Sequence, residues 1–322
     1  HTVRAVGLSH LSMGTASSMI NFSNSEGFGN FFDEFPGLIQ QATENLAKSC
    51  SKDGALDPQS LDQQQVASYE LALAYAEYRA ARVAWESYNG SATQVQQALC
   101  QIYIASAVQS IKARLEPLSP MFGIEQADFD RFFYGSELRS ATQACLSPAH
   151  LAEVGREVIQ LQGEVGQVSI DDDKGMMQTA FRKLAADIIE PRAENIHRQD
   201  LTVPEEILQP LREMGVFGIS VPQQYGGTAP DADADNLSMI VVTEALSEAS
   251  LAAAGSLITR PEILTRALLS GGTQEQKSRW LPQVASGEKL CGIAITEPDY
   301  GSDVAGLSLK ASPAPGGWLL NG

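Results

Sequence analysis

The chain has 322 residues, 43% hydrophobic and 19% charged, the make-up of a soluble globular protein of two or three domains. Its 39 acidic and 22 basic residues give a formal net charge of −17, which argues against nucleic acid or an anionic membrane surface as partner, since both need clustered Lys and Arg. No run approaches the roughly 20 apolar residues that span a bilayer and no signal-peptide pattern opens the chain. The four cysteines (Cys50, Cys100, Cys145, Cys291) and four histidines (His1, His10, His150, His197) are too scattered for a disulfide framework or a metal site, so a cytoplasmic, acidic, mostly helical protein with no metal is expected.

Residues 1–30 show no periodicity and read as an irregular or non-native leader. Residues 31–170 read as helical. Over 61–88, Val66, Tyr69, Leu73, Ala76 and Ala80 recur at spacings of three and four and predict one apolar face, with Asp57-Pro58 as cap and first turn and Asn89-Gly90-Ser91 as the end. The tyrosines Tyr69, Tyr75, Tyr78 and Tyr88 are expected to pack in the core and its rim. A second helix over 95–115 carries Leu99, Ile102, Ile104, Ala105, Val108 and Ile111, and the pair should form an antiparallel hairpin. Shorter helices follow over 129–145 and 148–161. The stretch 163–174, with Asp171-Asp172-Asp173, reads as a linker.

Residues 175–288 read as helical again. Phe181, Leu184, Ala185 and Ile188 share a face, Pro204 opens a helix that Gly215 closes, and 237–247 and 251–269 are apolar helices. Between them lies an irregular turn, Val221-Pro222-Gln223-Gln224-Tyr225-Gly226-Gly227. A short amphipathic helix starts at Thr273 and ends near Leu281-Pro282. The period then changes: 290–296, 307–311 and 318–320 read as strands, and Asn321-Gly322 has the composition of a hairpin turn, so the chain is expected to stop inside a sheet. The fold class expected is mainly α, α+β overall. No GxGxxG or Walker loop is present.

The densest chemistry is Thr296-Glu297-Pro298-Asp299-Tyr300-Gly301-Ser302-Asp303-Val304-Ala305-Gly306. Gly301 and Ser302 can offer successive N–H groups and a hydroxyl to a phosphate oxygen, and Thr296 can bond a heteroaromatic ring. The same residues also suit a plain polar β-turn with Pro at a standard position.

Residues 175–322 resemble the acyl-CoA dehydrogenase flavoprotein family through motifs in the family's order. These are the 221–227 turn, Thr243-Glu244-Ala245-Leu246, the 272–282 stretch Gly-Thr-Gln-Glu-Gln-Lys-Ser-Arg-Trp-Leu-Pro, and Thr296-Glu297-Pro298 with Gly301-Ser302-Asp303. The resemblance implies a helical N-terminal domain over 175–288 and the start of a middle β domain over 289–322. The C-terminal helical domain and the usual glutamate base would lie beyond Gly322, so no catalytic residue is assigned here and this stretch alone is expected to be inactive. It further implies FAD as cofactor, with Ile293, Ile295 and Thr296 against the isoalloxazine, Gly301 and Ser302 at the pyrophosphate, and Ser302 beside an acyl-CoA. Electron-transferring flavoprotein is the implied partner, and a homo-oligomer the implied state of the full-length protein.

The helical extension over 31–170 and Gly255-Ser256-Leu257-Ile258-Thr259-Arg260-Pro261-Glu262-Ile263 are similar to the methylsuccinyl-CoA dehydrogenase branch of that family, which acts in the ethylmalonyl-CoA pathway. Oxidation of methylsuccinyl-CoA to mesaconyl-CoA is the reaction this implies. The alternatives are another short branched or aromatic acyl-CoA, or a non-catalytic flavin-binding scaffold. Arg260, flanked by apolar runs, is expected on a largely buried helix and so needs a partner: Glu262, Glu244 or another acid, or the distal carboxylate of a dicarboxylyl substrate.

Overall fold

A computed structural model describes residues 25–88, 93–166, 170–230 and 235–322. The chain divides into two units, residues 1–169 and 170–322, each with its own core. The expected turn at Asn89-Gly90-Ser91, most of the leader and part of the linker lie outside the described residues.

The first unit starts with helix α1 (Ser25–Ser49). The expected leader is therefore helical from Ser25, because Phe28, Phe31, Phe32 and Phe35 fall on one face and are all buried. A two-residue hairpin, β1 (Ser51–Lys52) and β2 (Ala55–Leu56), follows. It turns on Asp53 and Gly54, both at positive φ, the conformation that Asp-Gly favours. Then come α2 (Pro58–Gln63), capped by the Asp57 side chain on the Ser60 N–H, α3 (Gln65–Tyr88) and α4 (Gln94–Leu115), which starts with a Thr93/Gln96 capping box. Arg114 near the end of α4 reaches Glu70 (2.6 Å) and Glu77 (3.2 Å) on α3, so the two helices run antiparallel. The short helices α5 (Gln126–Phe133), α6 (Ser136–Cys145) and α7 (Pro148–Gln160) complete the unit.

Its core is aromatic: Phe31, Phe32 and Phe35 of α1, Tyr78 of α3 and Phe129, Phe132 and Phe133 of α5 form ring pairs with centroids 4.6–6.4 Å apart. Pro36 lies inside α1 and has no N–H for the Phe32 carbonyl. The Tyr78 hydroxyl (3.3 Å) and the Arg82 guanidinium (3.1 Å) donate to that carbonyl instead, so a proline that would break an isolated helix is offset by side chains of α3.

The apolar face read for α3 is not the buried one. Ala67, Leu71, Ala74, Tyr78 and Ala81 face the core, whereas Val66 and Tyr69 remain 69% and 62% exposed and Ala76 and Ala80 are exposed too. The helix carries two apolar stripes, and periodicity alone cannot choose between them. Tyr78 is the core tyrosine, Tyr69 and Tyr75 are exposed, and the Tyr88 side chain lies outside the described residues.

Gly27 sets the approach of α1 to α6: a Cβ there would fall 2.7 Å from the Glu137 carbonyl oxygen. Gly27→Ala should destabilise this unit by about 1–3 kcal/mol, read as a lower thermal midpoint, because the obstacle is backbone and cannot rotate away.

The second unit opens with α8 (Asp172–Leu184), whose N-cap Asp171 accepts from the Lys174 N–H. It continues through a π turn (Ala185–Ile189) into α9 (Glu190–Arg198). The π turn ends at Ile189, two residues before Pro191, which sits in the first turn of α9 and has no N–H to give the ladder. The Arg192 guanidinium covers the Ile188 carbonyl at 2.7 Å. Phe181, Ala185 and Ile189 are buried, with Leu184 and Ile188 at the edge of the same core. Next are α10 (Glu205–Glu213), closed by Gly215 at φ +70°, α11 (Asn236–Ser250), α12 (Thr259–Gly271) and α13 (Gln274–Ala285), which opens on a Thr273/Gln276 capping box.

Three expectations for this unit change. The stretch 251–269 is not one helix: turns and a 3-10 segment (Gly255–Leu257) precede α12. Gly255 packs against Ser247, where a Cβ would sit 2.0 Å from the hydroxyl, an approach that a larger residue could make only with a shift. Residues 290–296 pair with no strand among the described residues. The hairpin is β3 (Lys310–Ala314) with β4 (Gly317–Asn321), and it turns at Pro315-Gly316, with Gly316 at φ +81°, while Asn321 belongs to the strand. Among the described residues no helix is long and apolar enough to cross a membrane.

Candidate functional site

Two motifs distant in sequence hold the second unit's lower core together. In the 221–227 turn Gly226 adopts φ +85°, and Gly227 lies so close to the Val221 carbonyl that a Cβ would sit 1.9 Å from its oxygen. That approach lets the Thr228 N–H bond the Gly218 carbonyl and the Ala229 N–H the Val221 carbonyl, each at 3.0 Å. Val221 then packs with Leu281, Val284 and Ala285 of α13, with Tyr225 at the edge. Gln274 donates to the Tyr225 hydroxyl at 3.3 Å. The turn and the 272–282 stretch thus form one packed element.

That element fixes the departure of the chain toward the polar loop. Gly287, at φ +68°, passes under Phe217, where a Cβ would meet the ring at 2.5 Å, and its carbonyl accepts from the Arg212 guanidinium at 3.0 Å. Beyond it runs 290–296, with Ile293 and Ile295 40% and 55% exposed and Thr296 exposed.

Residues 297–309 fold back on themselves. The Glu297 and Tyr300 backbones exchange N–H···O bonds of 3.0 and 3.2 Å, closing a turn at Pro298-Asp299. Tyr300 covers Gly306, where a Cβ would clash with its ring at 2.5 Å. The Glu297 carboxylate accepts from the Ser308 N–H (2.8 Å), the Ser308 hydroxyl (2.6 Å) and the Leu309 N–H (2.8 Å). These bonds, the Ser308 hydroxyl foremost, hold its carboxyl below the usual range. The sequence gives no sign of what Glu297 holds. Its partners lie 11 and 12 residues away, at no helical or strand spacing, so no periodic signal marks them.

The loop brings some of the expected residues together. Gly301 and Ser302 are exposed at its tip, and a Cβ on Gly301 would lie 3.9 Å from the Thr296 methyl, so tip and stem meet. Arg260 departs from expectation in its surroundings: it is exposed, in the first turn of α12, between buried Ile258 and buried Pro261. Neither carboxylate expected as an internal partner pairs with it. Glu262 binds Arg266 at 2.7 Å, and among the described residues no carboxylate forms an ion pair with Arg260 or with exposed Glu244 a cation. Arg260 does lie near the start of the 290–296 run: burial pushes the Cys291 thiol up, and the Arg260 charge works against that shift.

These groups suit a flavin nucleotide. Thr296 offers a hydroxyl that no described residue engages, Ile293 and Ile295 offer exposed apolar surface two residues apart, and the loop tip offers N–H groups and the Ser302 hydroxyl. An isoalloxazine ring needs apolar support and a polar edge contact, and a pyrophosphate needs donors.

The family model described as Acyl-CoA dehydrogenase, N-terminal domain, matches residues 171–288. The (2S)-methylsuccinyl-CoA dehydrogenase of Cereibacter sphaeroides is 30% identical over 298 residues, 90% of this chain and 53% of that protein. An acyl-CoA dehydrogenase of Bacillus subtilis (strain 168) is 35% identical over 153 residues, 48% of this chain and 39% of that protein. A glutaryl-CoA dehydrogenase of Desulfococcus multivorans is 33% identical over 147 residues, 46% of this chain and 37% of that protein. The chain thus spans about half the length of the first of these relatives and less of the other two. The helical unit, the Gly-Gly turn packed on α13 and the Thr-Glu-Pro loop stand in this order, and residues 171–288 match the N-terminal domain of acyl-CoA dehydrogenases, the proteins to which this chain is similar.

Proposed function

We propose that the complete protein is an FAD-dependent dehydrogenase that converts an acyl-CoA thioester to its α,β-unsaturated product, and that its substrate is methylsuccinyl-CoA, giving mesaconyl-CoA. The observation that carries this reading is the clasped 297–309 loop, which sets Gly301 beside Thr296 at the end of an exposed apolar run, with Ser302 next along the exposed tip. FAD, when bound, supplies the redox chemistry. Ile293 and Ile295 support the ring and keep water from it, and the Thr296 hydroxyl bonds its pyrimidine edge. Gly301 and Ser302 hold pyrophosphate oxygens through N–H and hydroxyl donors, and Ser302 also lies beside the acyl-CoA. No acid of this chain is assigned as the base that takes the α-proton.

The choice of a dicarboxylyl thioester rests on Arg260, an exposed guanidinium with no carboxylate partner among the described residues. It also rests on relatives named for methylsuccinyl-CoA and glutaryl-CoA. Electron-transferring flavoprotein accepts the electrons, and the complete protein works as a cytoplasmic homo-oligomer.

Thr296→Val tests the flavin assignment. The ring edge would lose its partner at a cost of about 1–3 kcal/mol, roughly a five- to hundredfold weaker FAD affinity with the fold retained. Titration of the complete apoprotein with FAD measures this. An unchanged affinity and flavin spectrum would leave 296–303 as a plain polar turn.

A further inference from the structure

We propose that Glu297 is a positioning residue, whose carboxylate clasps the two ends of the 297–309 loop and so holds Gly301 and Ser302 in the arrangement that receives the phosphate groups of a nucleotide cofactor. The proposal rests on the reading of this loop as part of the flavin site.

The loop has the length and closed ends of an Ω-loop, a form that needs its own side chains to hold it. Its tip, Gly301-Ser302, is exposed and contains the residue type with the greatest backbone freedom. Left open, such a tip would have to order at the moment of binding, and the entropy lost would subtract from affinity. Three devices order it beforehand. The reciprocal Glu297/Tyr300 bonds close the near turn, and Tyr300 over Gly306 fills the loop's interior. Among the described residues, only the Glu297 carboxylate joins the loop's beginning to its end, through the Ser308 N–H and hydroxyl and the Leu309 N–H.

All three of those partners donate, so the site requires an acceptor on both carboxylate oxygens. Pro298 helps, because the residue before a proline is held out of the helical region. That keeps Glu297 extended at the point where its side chain must reach residues 308 and 309. Glu297 itself need not touch the cofactor. It acts through the loop.

The substitution Glu297→Gln, in the complete protein, tests this without changing side-chain length. It sets an amide NH2 against a backbone N–H, so at least one bond of the clasp is lost. Amide hydrogen exchange of the apoprotein should show faster exchange at Ser308 and Leu309. Binding should then separate by ligand: affinity for FAD should fall at least about tenfold, while affinity for riboflavin, which has the ring but no phosphates, should stay within about twofold. Ser308→Ala, which removes one donor only, should give a smaller loss for FAD in the same direction. Equal losses for FAD and riboflavin would mean that Glu297 supports the whole segment and does not position the tip, and the proposal falls. It falls equally if exchange at Ser308 and Leu309 is unchanged, or if FAD affinity is retained. A wild-type protein that binds FAD no better than riboflavin would instead overturn the reading of the loop as a phosphate cradle.

Discussion

Gly227→Ala should be the most damaging single methyl group in residues 170–322. The added Cβ would sit 1.9 Å from the Val221 carbonyl oxygen and 2.5 Å from its carbon. Both are backbone atoms, and the same carbonyl accepts the Ala229 N–H, so neither can yield without opening the turn. The cost should reach or exceed the upper end of the roughly 1–3 kcal/mol seen for overpacking, which for a protein of this size lowers the thermal midpoint by about 5–10 °C. The neighbouring glycine provides the control. Gly226 has φ +85° but open space around its would-be Cβ, and asparagine tolerates that conformation. Gly226→Asn should therefore cost about 1 kcal/mol or less. Thermal unfolding of both variants measures the difference, and equal midpoints would show that the close approach of Gly227 to Val221 is not what fixes the turn.

Much of the helical architecture is legible in the residues. Thr273 starts a helix in the structure where the sequence predicts one, as a reciprocal cap with Gln276. Gly215 ends α10 in the left-handed conformation its position suggests. What is not legible arises where a second element decides. Helix α3 presents Val66, Tyr69 and Leu73 at the same spacing as Ala67, Leu71 and Ala74, and the aromatic cluster of α1 and α5 selects the second set by closing around Tyr78. The strand expected at 290–296 has the right composition, but a strand exists only with a partner, and no described residue supplies one.

The candidate site divides in the same way. Thr296, Gly301 and Ser302 stand together in one motif, and the loop that holds them places Gly301 beside Thr296. The role of the residue that closes the loop does not show there. Glu297 stands in the motif, but its role depends on Ser308 and Leu309, which precede a hairpin and carry no mark of their own. Arg260 is the converse case: its neighbours are apolar, yet α12 starts only at Thr259, after the 3-10 segment, so Arg260 lies in its first turn and is exposed.

Arg260→Met in the complete protein should separate a structural arginine from one that reads the substrate. An internal ion pair would make the substitution costly for folding and equally harmful for every substrate. The structure lacks such a pair among the described residues, since Glu262 is held by Arg266 and Arg260 is exposed. Methionine keeps the length and apolar stem of the side chain, so the unfolding midpoint should barely move. A guanidinium can grip both oxygens of a carboxylate, which an alkyl side chain cannot. A hydrogen bond to a charged group is worth about 1.5–3 kcal/mol, so kcat/KM for methylsuccinyl-CoA should fall roughly ten- to a hundredfold. A monocarboxylic thioester of equal length, with no distal charge to lose, should react as well as before or better. The ratio of the two kcat/KM values is the measurement. If both substrates lose equally, Arg260 does not face the acyl group, and the preference for a dicarboxylyl substrate loses its local physical support. If Lys at this position restores the methylsuccinyl-CoA rate only in part, the two-oxygen grip matters beyond the charge.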